Sequence, residues 1–106
     1  MARVALLCPD LLFGSKLRGA LAAAGHEVVA PDDPADVQVV DLTAEPGERL
    51  GAARTGELPT LAFYSHVEVD VRRQAEEAGV DRVVPRSRMA REAAALVEAL
   101  VPGTRP

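Results

Sequence analysis

"VQVVDLT", residues 37–43, is an apolar run that passes without a break into a carboxylate. Val37, Val39 and Val40 call for a core on both sides of the chain. A strand of this kind suits the interior of a parallel sheet covered by helices on each face. Asp41 then ends the strand. An ionised carboxylate is costly to bury unpaired, so its position needs a reason.

Four other runs share the pattern: "RVALLC" (3–8), "HEVVA" (26–30), "TLAFYS" (60–65) and, more weakly, "DRVVP" (81–85). Helical spacing falls between them. Phe13, Leu17, Ala20, Leu21 and Ala24 recur within 11–24, and Gly25 stops the run. Val67, Val71, Ala75 and Ala78 form a stripe within 67–78, ended by Gly79. Met89, Ala93, Leu96, Val97 and Leu100 form another within 88–101. A shorter helix is expected near 47–55, after Pro46 and before Gly56. Strands alternating with helices predict an α/β fold, a flavodoxin-like three-layer sandwich. Its five-stranded parallel sheet is expected in the order 2-1-3-4-5. "PDDPAD" (31–36) is too short and too broken by proline for a crossover helix. The helix between the second and third strands is therefore expected to be lost. One sheet face should then expose aliphatic side chains of the first two strands.

The 106 residues match one ordinary domain, 1–106, and 48% apolar content is enough for a core. A net charge of −4 gives no basic face for duplex DNA, and three aromatic residues in all give few stacking platforms for single strands. No nucleic-acid partner is expected. One cysteine, Cys8, excludes an internal disulfide and a multi-cysteine metal site. "MARVALLCPD" lacks the layout of a secretory leader, and no run reaches transmembrane length. A bacterial-type cytoplasmic protein away from membranes is the expectation.

In a doubly wound sheet, ligands gather outside the carboxyl ends of the strands. Those ends carry Cys8, Pro9 and Asp10 after the first strand and Asp41 after the third. Ser65 and His66 follow the fourth, and Arg86 follows the fifth. This arrangement, with "ALAAAGHEVV" (20–29) and "AEEAGVDRVVPRS" (75–87), resembles the response-regulator receiver (CheY-like) domain of two-component signalling, from about Arg3 to Val101. In that family the aspartate ending the third strand accepts a phosphoryl group, as in a phosphorelay. An acidic pair after the first strand holds Mg²⁺, and a Ser or Thr and a Lys end the fourth and fifth strands.

The resemblance implies Asp41 at the phosphoacceptor position and Ser65 at the hydroxyl position. It puts Arg86 at the lysine position and Val83 at the aromatic switch position. Cys8 and Pro9 fall where the acidic pair belongs, and Asp10 lies one residue late. "DLTAEPGERL" also lacks the methionine-proline turn that follows a phosphorylated aspartate. The fold matches better than the chemistry.

Mg²⁺ binds through one or two carboxylates plus waters, and only Asp10 and Asp41 are weak candidates. The expectation is therefore no cofactor, with Mg²⁺ required only if Asp41 is phosphorylated. A wider metal set of Cys8, Asp10, Asp41 and His66 has no known ligand spacing. Cys8 reads as a small buried apolar residue and Asp10 as the N-cap of the first helix. Ser65 with Glu68 reads as a capping box, and Ser65 beside His66 lacks the surroundings of a hydrolase site. Asp41 is expected to meet Arg86 as a permanent ion pair. Arg82, Arg88 and Arg91 then form a solvated face, or else an anion patch beside the last helix.

The first functional reading is a stand-alone pseudo-receiver, not an enzyme, acting by protein–protein contact. Its partner, or a second copy, would meet the last strand and helices 67–78 and 88–101. The alternative is a working receiver phosphorylated on Asp41. The third is a small-ligand-binding flavodoxin-like domain, although "CPDLLFGSK" offers no glycine-rich phosphate loop.

Overall fold

The computed structural model describes residues 2–65 and 69–101. Five parallel strands, β1 (Arg3–Leu7), β2 (Glu27–Val29), β3 (Val37–Asp41), β4 (Thr60–Tyr64) and β5 (Arg82–Pro85), lie in the order 2-1-3-4-5. Four helices accompany them: α1 (Leu11–Ala23), α2 (Pro46–Ala52), α3 (Val69–Glu77) and α4 (Arg86–Leu100). This is the flavodoxin-like arrangement that the alternating pattern predicts.

Every residue of β3 and β4 is buried, as runs apolar on both faces require. Alternation along the strands divides the core in two. Val37, Val39, Leu61 and Phe63 pack with Phe13, Leu17 and Leu21 of α1 and with Met89, Leu96 and Val97 of α4. Val40, Leu42, Ala62 and Tyr64 pack on the opposite face with Val71 and Ala75 of α3. Asp41 continues the row of Val37 and Val39, so its side chain leaves the sheet on the α1/α4 face. Ala20, Ala24 and Ala78, placed in stripes by their spacing, are exposed. Their small side chains complete the pattern without reaching the core.

Two buried polar residues tie the elements together. Gln38 Nε2 donates to Thr60 Oγ1 across the β3–β4 pair at 2.8 Å, and its Oε1 accepts from Arg54 N at 3.1 Å. His26 Nδ1 accepts from Ala2 N at 3.2 Å, so the neutral ring carries its proton on Nε2, which faces Glu98 Oε2 at 3.0 Å. That contact joins the end of α4 to the amino edge of the sheet.

No helix connects β2 and β3, as expected from the two prolines. The bareness expected with it is not observed. Val4, Ala5, Leu6 and Leu7 of β1 are buried, and only Val28 and Val29 of β2 remain half-exposed. Leu7 packs in a cluster with Val40, Leu42, Leu50 and Ala53, and the loop after β2 is tied down by Arg54, whose Nη2 donates to Pro31 O and Asp33 O, both at 2.8 Å. Asp36 closes the far end, its carboxylate accepting from Arg3 N at 2.8 Å. A guanidinium thus holds the loop where a helix would have lain.

Replacing Arg54 by Met is expected to lower stability in urea by about 1–3 kcal/mol, the scale of two charge-assisted hydrogen bonds net of solvent. The amides of Asp33 and Asp36, which bond to Ala30 O and Arg3 O, should lose hydrogen-exchange protection while those of β3 and β4 keep theirs. Unchanged protection of the loop would show that Arg54 does not hold it.

Candidate functional site

The carboxyl edge of the sheet begins with Asp10, the N-cap of α1, whose Oδ1 accepts from Phe13 N at 3.0 Å. Its second oxygen lies 3.5 Å from Arg86 Nη2, with both side chains about half exposed. The Arg86 guanidinium stacks over the Phe13 ring at 4.1 Å, and Phe13 meets Phe63 of β4 at 5.1 Å between centroids. The fold leads directly from β5 into α4: Pro85 is the N-cap and Arg86 the first helical residue. The helix therefore starts two residues earlier than its apolar spacing indicates, and Arg86 swings towards α1.

Asp41 has other partners. It is 3% exposed. Its Oδ1 accepts from Thr43 N at 2.8 Å and from Thr43 Oγ1 at 2.6 Å, and its Oδ2 accepts from Cys8 Sγ at 3.5 Å. The ion pair expected between Asp41 and Arg86 does not form. Asp10, one residue later than a receiver's acidic pair, takes the guanidinium, and Thr43 with Cys8 satisfies Asp41. The local signal was "DLT": an aspartate two residues before a threonine readily closes a side-chain turn.

Cys8 is more than apolar filling. Burial, then the neighbouring Asp41 carboxylate, push its thiol from 9.0 up to about 11. The sulfur thus keeps the proton that it donates to Asp41. Gly14 of α1 lies close by: a Cβ there would sit in ordinary contact with Cys8 Sγ, at 3.7 Å, and 3.2 Å from the flexible end of Arg18.

Ser65 and Arg86 line one cavity of about 540 Å³ together with Phe13, Lys16, Ser87 and Ala90. Asp41 does not line it. The capping box of Ser65 with Glu68, and His66, fall partly or wholly outside the described residues. Asp10 and Asp41 are engaged with different partners, and among the described residues no three His, Cys, Asp or Glu side chains form a group suited to a metal. The basic cluster is largely paired: Arg86 with Asp10, and both Arg88 and Arg91 with Glu92, where α4 is kinked.

No protein-family model and no curated protein matches this chain. Solved structures do. The non-phosphorylated HemR receiver domain from Leptospira biflexa is similar, with a TM-score of 0.76 at 20% identity over 100% of this chain and 98% of that one. A CheY-like receiver domain protein from Methanospirillum hungatei gives 0.77 at 10% identity, over 93% and 92%. NtrX from Brucella abortus, in a complex with ADP, gives 0.78 at 14% identity. That match covers 97% of this chain but only 26% of NtrX. These likenesses show the receiver fold.

Two outcomes follow from the site's geometry. The raised thiol means that the folded chain keeps a proton the unfolded chain loses, so stability should fall as pH rises from about 9 to about 11. Alkylation of Cys8 by iodoacetamide should still be accelerating above pH 9, and a plateau near 9 would contradict the buried contact with Asp41. Arg86→Ala and Asp41→Asn should be additive in urea melts. Arg86→Ala and Asp10→Ala should couple by about 1 kcal/mol or less, as exposed pairs do.

Proposed function

We propose that this chain is a receiver-like signalling module that works by binding a protein partner and is not switched by phosphorylation of Asp41. The observation that carries this reading is the state of Asp41, whose two carboxylate oxygens are both taken up within the fold. Phosphoryl transfer to a carboxylate needs a divalent ion to neutralise charge on the phosphoryl oxygens. The residues present do not fit such an ion. Cys8 and Pro9 stand where carboxylates would be needed, and Asp10 is occupied by α1 and Arg86.

The partner surface expected from the sequence is β5 with α3 and α4. Among the described residues, the large apolar side chains left exposed are instead Leu11 (83%) and Leu12 (86%), at the start of α1. Leu12 lines the cavity shared by Lys16 and Arg86. We therefore extend the contact surface from the first turn of α4 to Leu11 and Leu12. An acidic partner segment with an apolar anchor suits that combination. Among the described residues no helix is long and apolar enough to cross a membrane.

Incubation with acetyl phosphate and Mg²⁺ is expected to leave the intact mass unchanged. A stable adduct mapped to Asp41, and lost in Asp41→Asn, would establish a working receiver instead. The double substitution Cys8→Asp, Pro9→Asp should create Mg²⁺-dependent thermal stabilisation that the native chain lacks. Equal Mg²⁺ responses from both proteins would show that the missing acidic pair is not the deciding feature.

A further inference from the structure

A second cavity, of about 410 Å³, lies where the missing helix would have covered the sheet. Its lining includes Leu7, Cys8 and Pro9 at the end of β1, Arg18 of α1, Arg49 of α2, and Asp32 in the loop after β2. Three features single it out.

The first is charge. Arg49 is mostly buried, with its Nε closed off from solvent, so a ligand would meet its Nη end, whose ion pair among the described residues is a 3.8 Å contact to the exposed Glu48. Arg18 makes no ion pair or hydrogen bond among the described residues, and its Nη1 lies beside Gly14. Two guanidinium groups from two helices thus border one space.

The second is the wall. β2 ends at Val29, opposite Ala5, so Leu6 and Leu7 run on past the edge strand. Glu27 N donates to Ala2 O, which sets the phase of the ladder. The next rung would join the Leu6 carbonyl to residue 31, and Pro31 has no N–H to give. Asp32 follows on the rim and pairs with neither arginine. Acceptors therefore stand beside the two cations.

The third is rigidity. Arg54 holds the loop that carries Pro31 and Asp32 through two 2.8 Å hydrogen bonds. The wall is fixed before any ligand arrives.

We propose that this cavity binds a small organic anion, a carboxylate or phosphate monoester that also bears a hydroxyl or amine. Its charge sits between Arg18 and Arg49, where guanidinium groups give paired hydrogen bonds. Its donor faces the Leu6 carbonyl and Asp32, and its carbon skeleton lies on Leu7, Pro9 and Ala52. The site is separate from the Leu11–Arg86 surface, so its failure leaves the protein-binding reading untouched.

Calorimetric titration of the full chain with O-phosphoserine, malate and inorganic phosphate tests this. O-phosphoserine or malate is expected to bind saturably in the millimolar range or tighter, and inorganic phosphate more weakly. Arg18→Gln and Arg49→Gln should each weaken binding about tenfold or more, while Arg73→Gln, on the far helix, should not. Arg18 is exposed, so its variant decides the matter even if Arg49→Gln folds poorly. No binding of any probe, or equal binding by all three variants, overturns the site. Inorganic phosphate binding as tightly as the organic anions would remove the roles given to the carbonyl, Asp32 and the apolar wall.

Discussion

The carboxylate of Asp41 is the constraint around which the carboxyl edge of the sheet is arranged. Three hydrogen bonds hold it at 3% exposure, two from Thr43 and one from Cys8. Each fixes a different piece of chain. Thr43 turns the backbone out of β3 towards α2, and Cys8 brings the end of β1 against the end of β3. The side chain at the end of β3 serves as an internal joint. Burying it unpaired would cost several kcal/mol, which is why the joint has little freedom to open.

The fold could be read from the sequence because its signals are local and repeated. Two-sided apolar runs such as 37–41 and 60–64 have few uses outside a covered parallel sheet. Gly25 and Gly79 end their helices through positive φ angles of 92° and 93°, which other residues avoid. The site was less legible. Asp41 and Arg86 were correctly placed at one edge, but placement at an edge does not say which side chains meet. Asp10 reaches Arg86 because α4 begins at once after Pro85, a matter of one or two residues that periodicity does not resolve. Thr43 was missed although "DLT" contains the turn. Gln38 in a fully buried strand was the overlooked hint of a polar cross-strand pair.

The lost helix shows the same physics in another form. Deleting a layer over β1 would expose Ala5 and Leu7, yet both stay buried. One arginine, fastened to two carbonyl oxygens, keeps six residues in the helix's place. Long cationic side chains cover apolar surface with their methylene stems and satisfy backbone acceptors with their heads. Such a repair leaves gaps that a packed helix would fill, and the 410 Å³ space beside Arg49 is one. The receiver fold thus tolerates the loss of one helix without exposing its central strand.

The two ends of the sheet carry a further meaning. β2 has three residues, starts on Glu27 and runs into a loop containing Pro31 and Pro34; β5 has four, with Arg82 at its start and Pro85 at its end. Short strands, charges and prolines are the devices by which proteins stop foreign chains from extending a sheet. Backbone-to-backbone annexation is thus disfavoured at both borders. Recognition of this protein then falls to side chains on the helices and loops, and an extended peptide seeking an open strand finds little to copy.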